Sequence, residues 1–361
     1  MASRRISTPA DAKAGAGGRA ARGRKFFRRL PSADRRPLIY NPPVRFPFEL
    51  PAEREFDAVG FGLNAVDHLV VVPAYPEYDT KVRLVDRAVG AGGETASAMV
   101  GLRRLGLRTA YAGRFGSDAE GRFGLESLRA EGVSVERAEV VEGARTQIAF
   151  ILIDARTGER TVIWDRDERL AYRPEEAPRD FAGRGRVLHM DGHDAAARAR
   201  LAREARAAGA VVSLDIDNVS DGLAELLPHV DVLVSSREFP GRLTGLSDDR
   251  AALAELKART RPGAVVGMTL GERGAVVYHG GVFVEARACA VPGGCRDTTG
   301  AGDAFHAGFL YGLLRGEEVE GCLHLGCAVA ALKCRDLGAR AALPTAVELQ
   351  NFLAAEGETS C

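Results

Sequence analysis

The clearest chemistry in the sequence lies in CRDTTGAGDAFHAGF, residues 295–309. Gly300, Ala301 and Gly302 open a segment with helical spacing, and Asp303 follows in its first turn. The first amides of a helix have no internal partner and lie at the positive end of the helix dipole, so they can bind an anion. A carboxylate beside them could take a proton from a hydroxyl during phosphoryl transfer.

Each half of this pattern also has a purely structural interpretation. The helix dipole alone favours an acid in the first turn, and Thr298 or Thr299 could simply cap the helix. The combination of an anion hole and a base favours chemistry, because phosphoryl transfer to an alcohol uses both. The sequence has no GxxxxGK[ST] segment, which excludes a P-loop as the phosphate-binding device.

Other polar residues gather where predicted strands end. They are Asp191, Asp215, Asp217, Ser235, Glu238 and Thr269. In an open parallel sheet, ligands bind beyond the carboxyl ends of the strands, so these side chains should converge on one crevice. A single acid at a strand end is usually a cap or a solvated loop residue, but a series of them favours a binding site.

The elements that must position these residues alternate from Phe56 onward. The predicted strands are residues 56–62, 109–115, 186–192, 210–217, 230–236 and 263–270. The predicted helices between them include residues 94–106, 117–132 and 194–209. This alternation predicts an α/β fold with a mostly parallel central sheet covered by helices.

Two regions interrupt the alternation. Residues 66–91 are strand-like and contain prolines, and residues 145–168 have the pattern of a hairpin that turns at Arg156 to Glu159. We expect both to form a small β-rich lid on the main sheet. Such a lid could cover a ligand or join two copies of the chain in a homodimer, and these uses are compatible.

Composition limits the function classes. Residues 1–50 carry twelve basic and three acidic residues without apolar periodicity, which predicts a disordered arm before a domain at 51–361. The whole chain balances 49 basic against 49 acidic residues, so we expect no nucleic-acid or membrane partner. No apolar run approaches the ~20 residues that span a bilayer, and we expect a cytoplasmic protein. The six cysteines include no CxxC pair and are expected to be reduced thiols rather than zinc ligands.

The segment DTTGAGDAF resembles the C-terminal signature of the PfkB/ribokinase family of sugar and nucleoside kinases. The resemblance covers roughly residues 56–353 and includes the family's first signature, its first strand end, its nucleotide-contact turn and its adenine-closing stretch. The matching segments are GAGGETASAMVGLRRLG, GLNAVDHL, TLGERGAVV and AVAALKCRDLGARAALP. The resemblance implies a ribokinase-like three-layer α/β/α fold with a β-rich lid.

The resemblance also implies roles for individual residues. Asp303 would be the general base, and Gly300, Ala301 and Gly302 would form the anion hole. The substrate would contact Asp67, Gly92, Gly93 and Ser97, and the nucleotide would contact Thr269, Gly271, Gly274 and Cys334. Glu238 would act on Mg²⁺ through water, and Asp297 would lie by a monovalent cation, for which K⁺ is the candidate. Ser97 and Ser235 stand where the family commonly has asparagine, so these polar contacts are expected to differ.

The favoured function is an ATP- and Mg²⁺-dependent kinase that phosphorylates a hydroxyl of a small sugar. A nucleoside kinase of the same family and a non-catalytic sugar- or nucleotide-binding regulator are the alternatives. The segment GFGLNA with Asp86 also satisfies a dinucleotide fingerprint. That fingerprint requires a helix directly after the glycines, and the strand-like VDHLVVVP follows instead.

Overall fold

The structure is a computed structural model that describes residues 44–359. The strands in this range are β1 Phe56–Phe61, β2 Ala65–Val72, β3 Asp86–Gly92, β4 Thr109–Ala112, β5 Arg114–Gly116, β6 Glu139–Val141, β7 Ile148–Asp154, β8 Arg160–Asp165, β9 Gly185–Met190, β10 Val211–Ile216, β11 Val232–Ser235, β12 Val265–Thr269, β13 Ala275–His279 and β14 Val282–Ala286. The helices are α1 Glu94–Arg104, α2 Ala119–Ala130, α3 Ala195–Ala207, α4 Leu223–Leu226, α5 Glu238–Thr244, α6 Asp249–Ala258, α7 Ala301–Arg315, α8 Val319–Lys333 and α9 Ala346–Thr359.

The main sheet has eight strands in the order β14-β13-β12-β11-β10-β9-β1-β4. The run from β12 to β4 is parallel, and β13 and β14 extend it as antiparallel strands. Five of the six predicted strands lie in this sheet. The predicted strand at residues 109–115 is divided, because residues 109–112 form β4 of this sheet whereas β5 pairs with β6 in a separate two-stranded sheet. The hairpin of β13 and β14 was not among the predicted elements.

Helices cover both faces of the main sheet. One buried cluster joins residues such as Val187 and Val232 to α1, α7 and α8, and a second joins their neighbours Leu188 and Leu233 to α3 and α6. Successive strand residues point to opposite faces, so a strand buried on both sides needs apolar residues at nearly every position. The predicted three-layer α/β/α architecture is confirmed.

A separate four-stranded sheet, in the order β3-β2-β7-β8, forms from the two regions that interrupt the alternation. β2 and β7 are parallel, and β3 and β8 pair antiparallel at the edges. The link from β7 to β8 spans residues 155–159, as the hairpin prediction required. One face packs Leu69, Ile151 and Ile153 against Leu337. We call these four strands the lid sheet.

The chain before β1 differs in part from the predicted disordered arm. Val44, Phe46, Phe48 and Leu50 pack against the main core, and the amide of Val319 bonds to the carbonyl of Val44 at 3.0 Å. Apolar residues at alternate positions explain this packing, which composition alone did not reveal. Residues 1–43 of the predicted arm lie outside the described residues. Across residues 44–359, no helix combines the length and apolarity needed to span a membrane.

Candidate active site

Glycines keep side chains away from the start of α7. Gly300 has φ 75°, in the left-handed region, and a Cβ there would lie 2.7 Å from the Cα of Ala339. Any other residue would be strained at this position. A Cβ on Gly302 would meet no atom within 4 Å, so open space lies in front of the first turn.

The first amides of α7 are not equivalent. The amide of Ala301 donates to the carbonyl of Thr298 at 3.1 Å, and the first intrahelical bond is donated by Ala304. Helix geometry gives the amides of Gly302 and Asp303 no internal acceptor. These two amides are therefore the available part of the predicted anion hole, whereas the Ala301 amide is used within the turn.

Neither threonine caps α7, although by sequence either could do so. The Thr298 hydroxyl donates to the carbonyl of Gly158 at 3.0 Å and accepts from Arg160 at 2.9 Å. Within the described residues, the buried hydroxyl of Thr299 has no hydrogen-bond partner. Thr298 therefore bonds to the turn between β7 and β8 instead of to the first amides of α7. This contact between distant parts of the chain outweighs the local preference of threonine for a capping position.

Asp303 lies in the first turn of α7 with its carboxyl partly buried. Burial raises its pKa to about 7, and the negative charge of Asp215 adds to that effect. His306 and Arg160 act in the opposite direction. A carboxyl with a pKa near neutrality is suited to accept a proton at neutral pH, which a general base must do.

Asp67 extends from β2 and is only 5% exposed. Burial raises its pKa to about 6, against the opposing charge of Arg340. The described residues give its carboxylate no hydrogen-bond donor, so it can accept bonds from substrate hydroxyls. A Cβ on Gly92 would lie 2.1 Å from the carboxylate, and one on Gly93 would lie 2.4 Å from the Cα of Asn64. Only glycine at these two positions lets the backbone lie this close to the Asp67 carboxylate and to Asn64.

Arg340 is a buried residue that the sequence reasoning missed. Its guanidinium donates to the carbonyl of Gly92 at 2.5 Å and to the hydroxyls of Ser97 and Ser127 at 3.1 Å each. Ser97 is fully buried, so the structure places its hydroxyl on Arg340 rather than in the cleft. Arg340 thus fixes the strand end that carries the Gly-Gly pair. In the sequence, Arg340 is only an arginine near the end of an apolar stretch, and this position does not show which residues it contacts.

Asp191 has a structural role beside the site. Its carboxylate accepts from the amide of Leu63 at 2.6 Å, from the hydroxyl of Thr95 at 2.8 Å and from the guanidinium of Arg198. Burial favours the neutral form, but Arg198 and these donors hold the pKa of Asp191 below its usual value. The acid thereby ties β1, α1 and α3 together behind the cleft.

Glu94 is a second acid that the sequence reasoning missed. It opens α1 directly after the Gly-Gly pair, and burial raises its pKa, with further contributions from Asp191, Asp215 and Asp217. Its carboxylate lies within 4.8 Å of ligand-type atoms of Asp191 and His193. Arg198 already neutralises Asp191, which makes this group a poor metal site. Glu94 instead adds a carboxyl directly after the predicted substrate residues Gly92 and Gly93.

Three of the four predicted nucleotide residues lie at or just after the end of β12, two strands from the strand of Asp215 in the main sheet. Thr269 ends β12, and the turn after it contains Gly271 and Gly274, both with positive φ. A Cβ on Gly274 would lie 2.0 Å from the carbonyl oxygen of Ala286, so a side chain would break this turn. A Cβ on Gly271 would meet no atom within 4 Å, so the backbone at Gly271 is open.

The other residues singled out from the sequence, Glu238, Ser235 and Cys334, differ in their exposure to solvent. Glu238 begins α5 and is exposed, whereas Ser235 is buried and donates to the carbonyl of Gly267 at 3.4 Å. Cys334 follows α8 and is 6% exposed. Cys334 and the other described cysteines form no disulfide bond.

Asp297 is fully buried in the loop before α7. Its carboxylate accepts from the amides of Thr299 and Gly338, at 2.7 Å each. The Lys333 ammonium lies 2.9 Å from the Asp297 carbonyl oxygen and 3.8 Å from its carboxylate. The oxygens expected to coordinate a monovalent cation are already paired with a lysine, so this loop does not fit a potassium ion.

Comparisons with known proteins agree with this geometry. Residues 61–346 match the model of the pfkB family of carbohydrate kinases. The chain is 28% identical to the nucleoside kinase of Methanothermobacter thermautotrophicus over 308 residues, 83% of this chain and 97% of that protein. It is 33% identical to an uncharacterized sugar kinase of Archaeoglobus fulgidus over 263 residues, 69% of this chain and 100% of that protein.

The fold has a counterpart among solved structures. Arabidopsis thaliana ribokinase, solved in complex with ribose and ATP, superimposes with a TM-score of 0.69 at 22% identity. The match covers 82% of this chain and 98% of the ribokinase. The architecture, the signature at the start of α7 and the family match lead to one conclusion. This chain belongs to the pfkB family of carbohydrate kinases, phosphotransferases that act on hydroxyl groups.

Proposed function

We propose that this protein transfers the γ-phosphoryl group of MgATP to a hydroxyl of a small carbohydrate. The observation that carries the proposal is the pairing at the start of α7, where Asp303 adjoins the available amides of the first turn. Burial and the charge of Asp215 raise the pKa of Asp303 to about 7. The same few residues thus supply a base and a donor set for negative charge.

Each group has a distinct task in this reaction. Asp67 accepts hydrogen bonds from the acceptor hydroxyls, and Asp303 takes the proton of the reacting hydroxyl. The amides of Gly302 and Asp303 stabilise the charge on the transferring group. Bound MgATP would supply the phosphoryl group. Its Mg²⁺ would neutralise negative charge that develops on the phosphate oxygens during transfer.

The nucleotide would lie along the turn after β12. Thr269, Gly271 and Gly274 would contact it through the open backbone of that turn, and Cys334 would pack beside it. Glu238 is exposed at the start of α5 and would act on Mg²⁺ through water. These assignments rest on the family resemblance together with the open space at the turn.

Trp164 marks one side of the acceptor position. Gly90, Asp67, Ala149 and Trp164 form one cross-strand row of the lid sheet, so their side chains share a face. Two strand spacings separate Asp67 from Trp164, or about 10 Å. Arg160, on the same face of β8, donates to Thr298 just before α7. This face therefore looks toward the proposed active site.

A sugar is the first acceptor class, and a nucleoside is the second. Trp164 is 59% exposed and offers an aromatic surface to whatever Asp67 holds. A base attached to a sugar would reach such a surface, and a sugar ring can stack on it through its apolar face. Similarity to a nucleoside kinase also supports the second class.

The outer face of the lid sheet suits a second copy of the chain. Val89, His68, Phe150 and Ile163 form a cross-strand row on that face, and the His68 and Phe150 rings stack with centroids 5.1 Å apart. Val89, Phe150 and Ile163 are each about half exposed. We propose a homodimer through this face. Light scattering of the wild type and of Phe150→Asp tests it, because a dimer that persists in the variant would contradict the proposal.

A phosphoryl-transfer screen tests the proposed function. Purified protein with MgATP would be offered a panel of pentoses, hexoses, sugar acids, sugar phosphates and nucleosides, with ADP release as the readout. The expected result is turnover of one class above the background ATPase rate. Silence across the panel with intact sugar or nucleotide binding would favour the non-catalytic regulator.

A further inference from the structure

The loop that leads into α7 is tied to the segment after α8. Besides the two bonds to the Asp297 carboxylate, the amide of Arg296 donates to the carbonyl of Cys334 at 2.9 Å. Gly300 also lies against Ala339. Any change at Asp297 therefore shifts the residues that set the position of Gly302 and Asp303.

Oxygen atoms converge beneath this loop. They are the carbonyl oxygens of Asp297 and Asp336 and the carboxylate of Asp297, and the carboxylate is fully buried. A buried carboxylate costs free energy unless a cation or several donors compensate it. Carbonyl and carboxylate oxygens of this kind can also replace the hydration shell of a potassium ion.

Lys333 supplies the compensating cation. Its side chain is fully buried, and its ammonium contacts the carbonyl oxygens of Asp297 and Asp336 at 2.9 and 3.4 Å. Burial lowers the pKa of Lys333, whereas the Asp297 carboxylate opposes that change. An ammonium carries the same charge as a potassium ion and is of similar size, and here the last residue of α8 holds it in place.

We propose that Lys333 is a tethered substitute for a monovalent cation at the Asp297 loop. The ammonium neutralises Asp297 and holds the loop, so the anion hole of α7 is formed without bound potassium. Lys333 is a positioning residue, because its ammonium contacts Asp297 and Asp336 rather than Asp303 or the first amides of α7. The part of this inference that concerns turnover rests on the proposed kinase function.

The first test uses the wild-type protein. Initial rates and thermal unfolding midpoints would be measured in chloride salts of potassium, sodium, ammonium and choline at one ionic strength. We expect the same rate and the same midpoint in all four salts. Activation by potassium, or a midpoint that potassium alone raises, would overturn the proposal.

The second test removes the ammonium. Lys333→Ala leaves a cavity beside the Asp297 oxygens, and we expect turnover in choline chloride to fall roughly 10- to 100-fold, as when groups that orient a site are removed. Potassium or ammonium should restore turnover with saturation and raise the unfolding midpoint. The matched control is Lys257→Ala, since Lys257 also donates to two carbonyls, those of Arg261 and Pro262, but on α6. The control should show no cation dependence.

The two readouts separate the possible failures. A folded Lys333→Ala protein that keeps full activity in choline, or whose loss no cation restores, contradicts the role of Lys333. If no acceptor is found for the wild type, the proposed function fails, but the unfolding midpoints still test the cation substitution. If Lys333→Ala does not fold in choline, refolding in potassium supports the proposal, and failure to refold in every salt contradicts it.

Discussion

His306 places its Nε2 atom 3.2 Å from Oδ1 of Asp215. The contact joins α7 to β10 three residues after Asp303, and Asp215 also raises the pKa of Asp303. Asp215 thus links the helix that carries the proposed base to the strand that follows α3 in the main sheet. Its charge should influence the pH dependence of the reaction.

We predict that Asp215→Asn moves the acidic limb of the pH profile to lower pH. Turnover requires the ionised form of Asp303, so kcat/KM should fall below pH of about 7 in the wild type, the pKa that burial and Asp215 give this residue. Removing the charge of Asp215 lowers that pKa and extends activity into more acidic solution. Asp217→Asn is the control, because Asp217 is not among the largest contributions to the pKa shift of Asp303. An unmoved limb in Asp215→Asn would disprove the coupling.

We predict opposite effects from two alanine substitutions at the start of α7. Gly300→Ala should destabilise the fold by about 1–3 kcal/mol, because of its φ of 75° and the proximity of Ala339. Gly302→Ala should leave the free energy of unfolding equal or up to ~1 kcal/mol higher, since alanine favours a helix. Gly302→Ala should nevertheless slow turnover, because the added methyl group occupies space through which a phosphoryl group would reach the amides of Gly302 and Asp303. Urea unfolding and initial rates check both, and equal stability of the two variants would argue against the geometry.

We predict that Asp67→Asn stabilises the protein above pH 6 while it weakens acceptor binding. The pKa of Asp67 is about 6 in the folded protein, against 3.8 for the ordinary residue, so the folded state binds its proton more tightly. Stability from this group is therefore present at low pH and is lost as the pH rises through this range. The gain at pH 8 should reach up to about 3 kcal/mol.

Urea unfolding at pH 5 and pH 8 measures the effect of Asp67→Asn. Asp165→Asn, at an exposed position of the lid sheet, should show no such difference. A loss of stability in Asp67→Asn at pH 8 would show that the acid is a structural partner rather than a binding group.

We predict that Trp164→Ala raises the acceptor KM by roughly tenfold or more with little change in kcat. Stacking of a nucleobase on an aromatic side chain typically contributes about 1–3 kcal/mol, and a sugar ring would lose its contact with the same surface. Trp164→Phe should keep part of the affinity, and Thr161→Ala, on the opposite face of β8, should have no effect. Trp164 is the sole tryptophan of the chain, so acceptor binding should also change the intrinsic fluorescence. A KM that is unchanged in Trp164→Ala would remove this residue from the acceptor site.

The sequence was most informative where local pattern determines structure. Alternating apolar runs located the strands of the parallel sheet, and small residues before Asp303 located the start of α7. Contacts between distant segments were not predictable in the same way. Lys333, Arg340 and Glu94 each depend on partners brought together by the fold, and an isolated charge in the sequence names no partner. The same limit applies to Thr298, which by sequence could cap α7, because the lid turn that it binds is 140 residues away.

The central claim is that Asp303 is the base of a phosphoryl-transfer reaction. Its most direct test is the rate of ADP formation by Asp303→Asn with MgATP and the accepted substrate, together with ATP binding by calorimetry. We predict that ATP binding is retained and that kcat falls by about 10²–10⁴-fold, the usual contribution of a general base. A variant that binds ATP and keeps most of the wild-type rate would contradict the account.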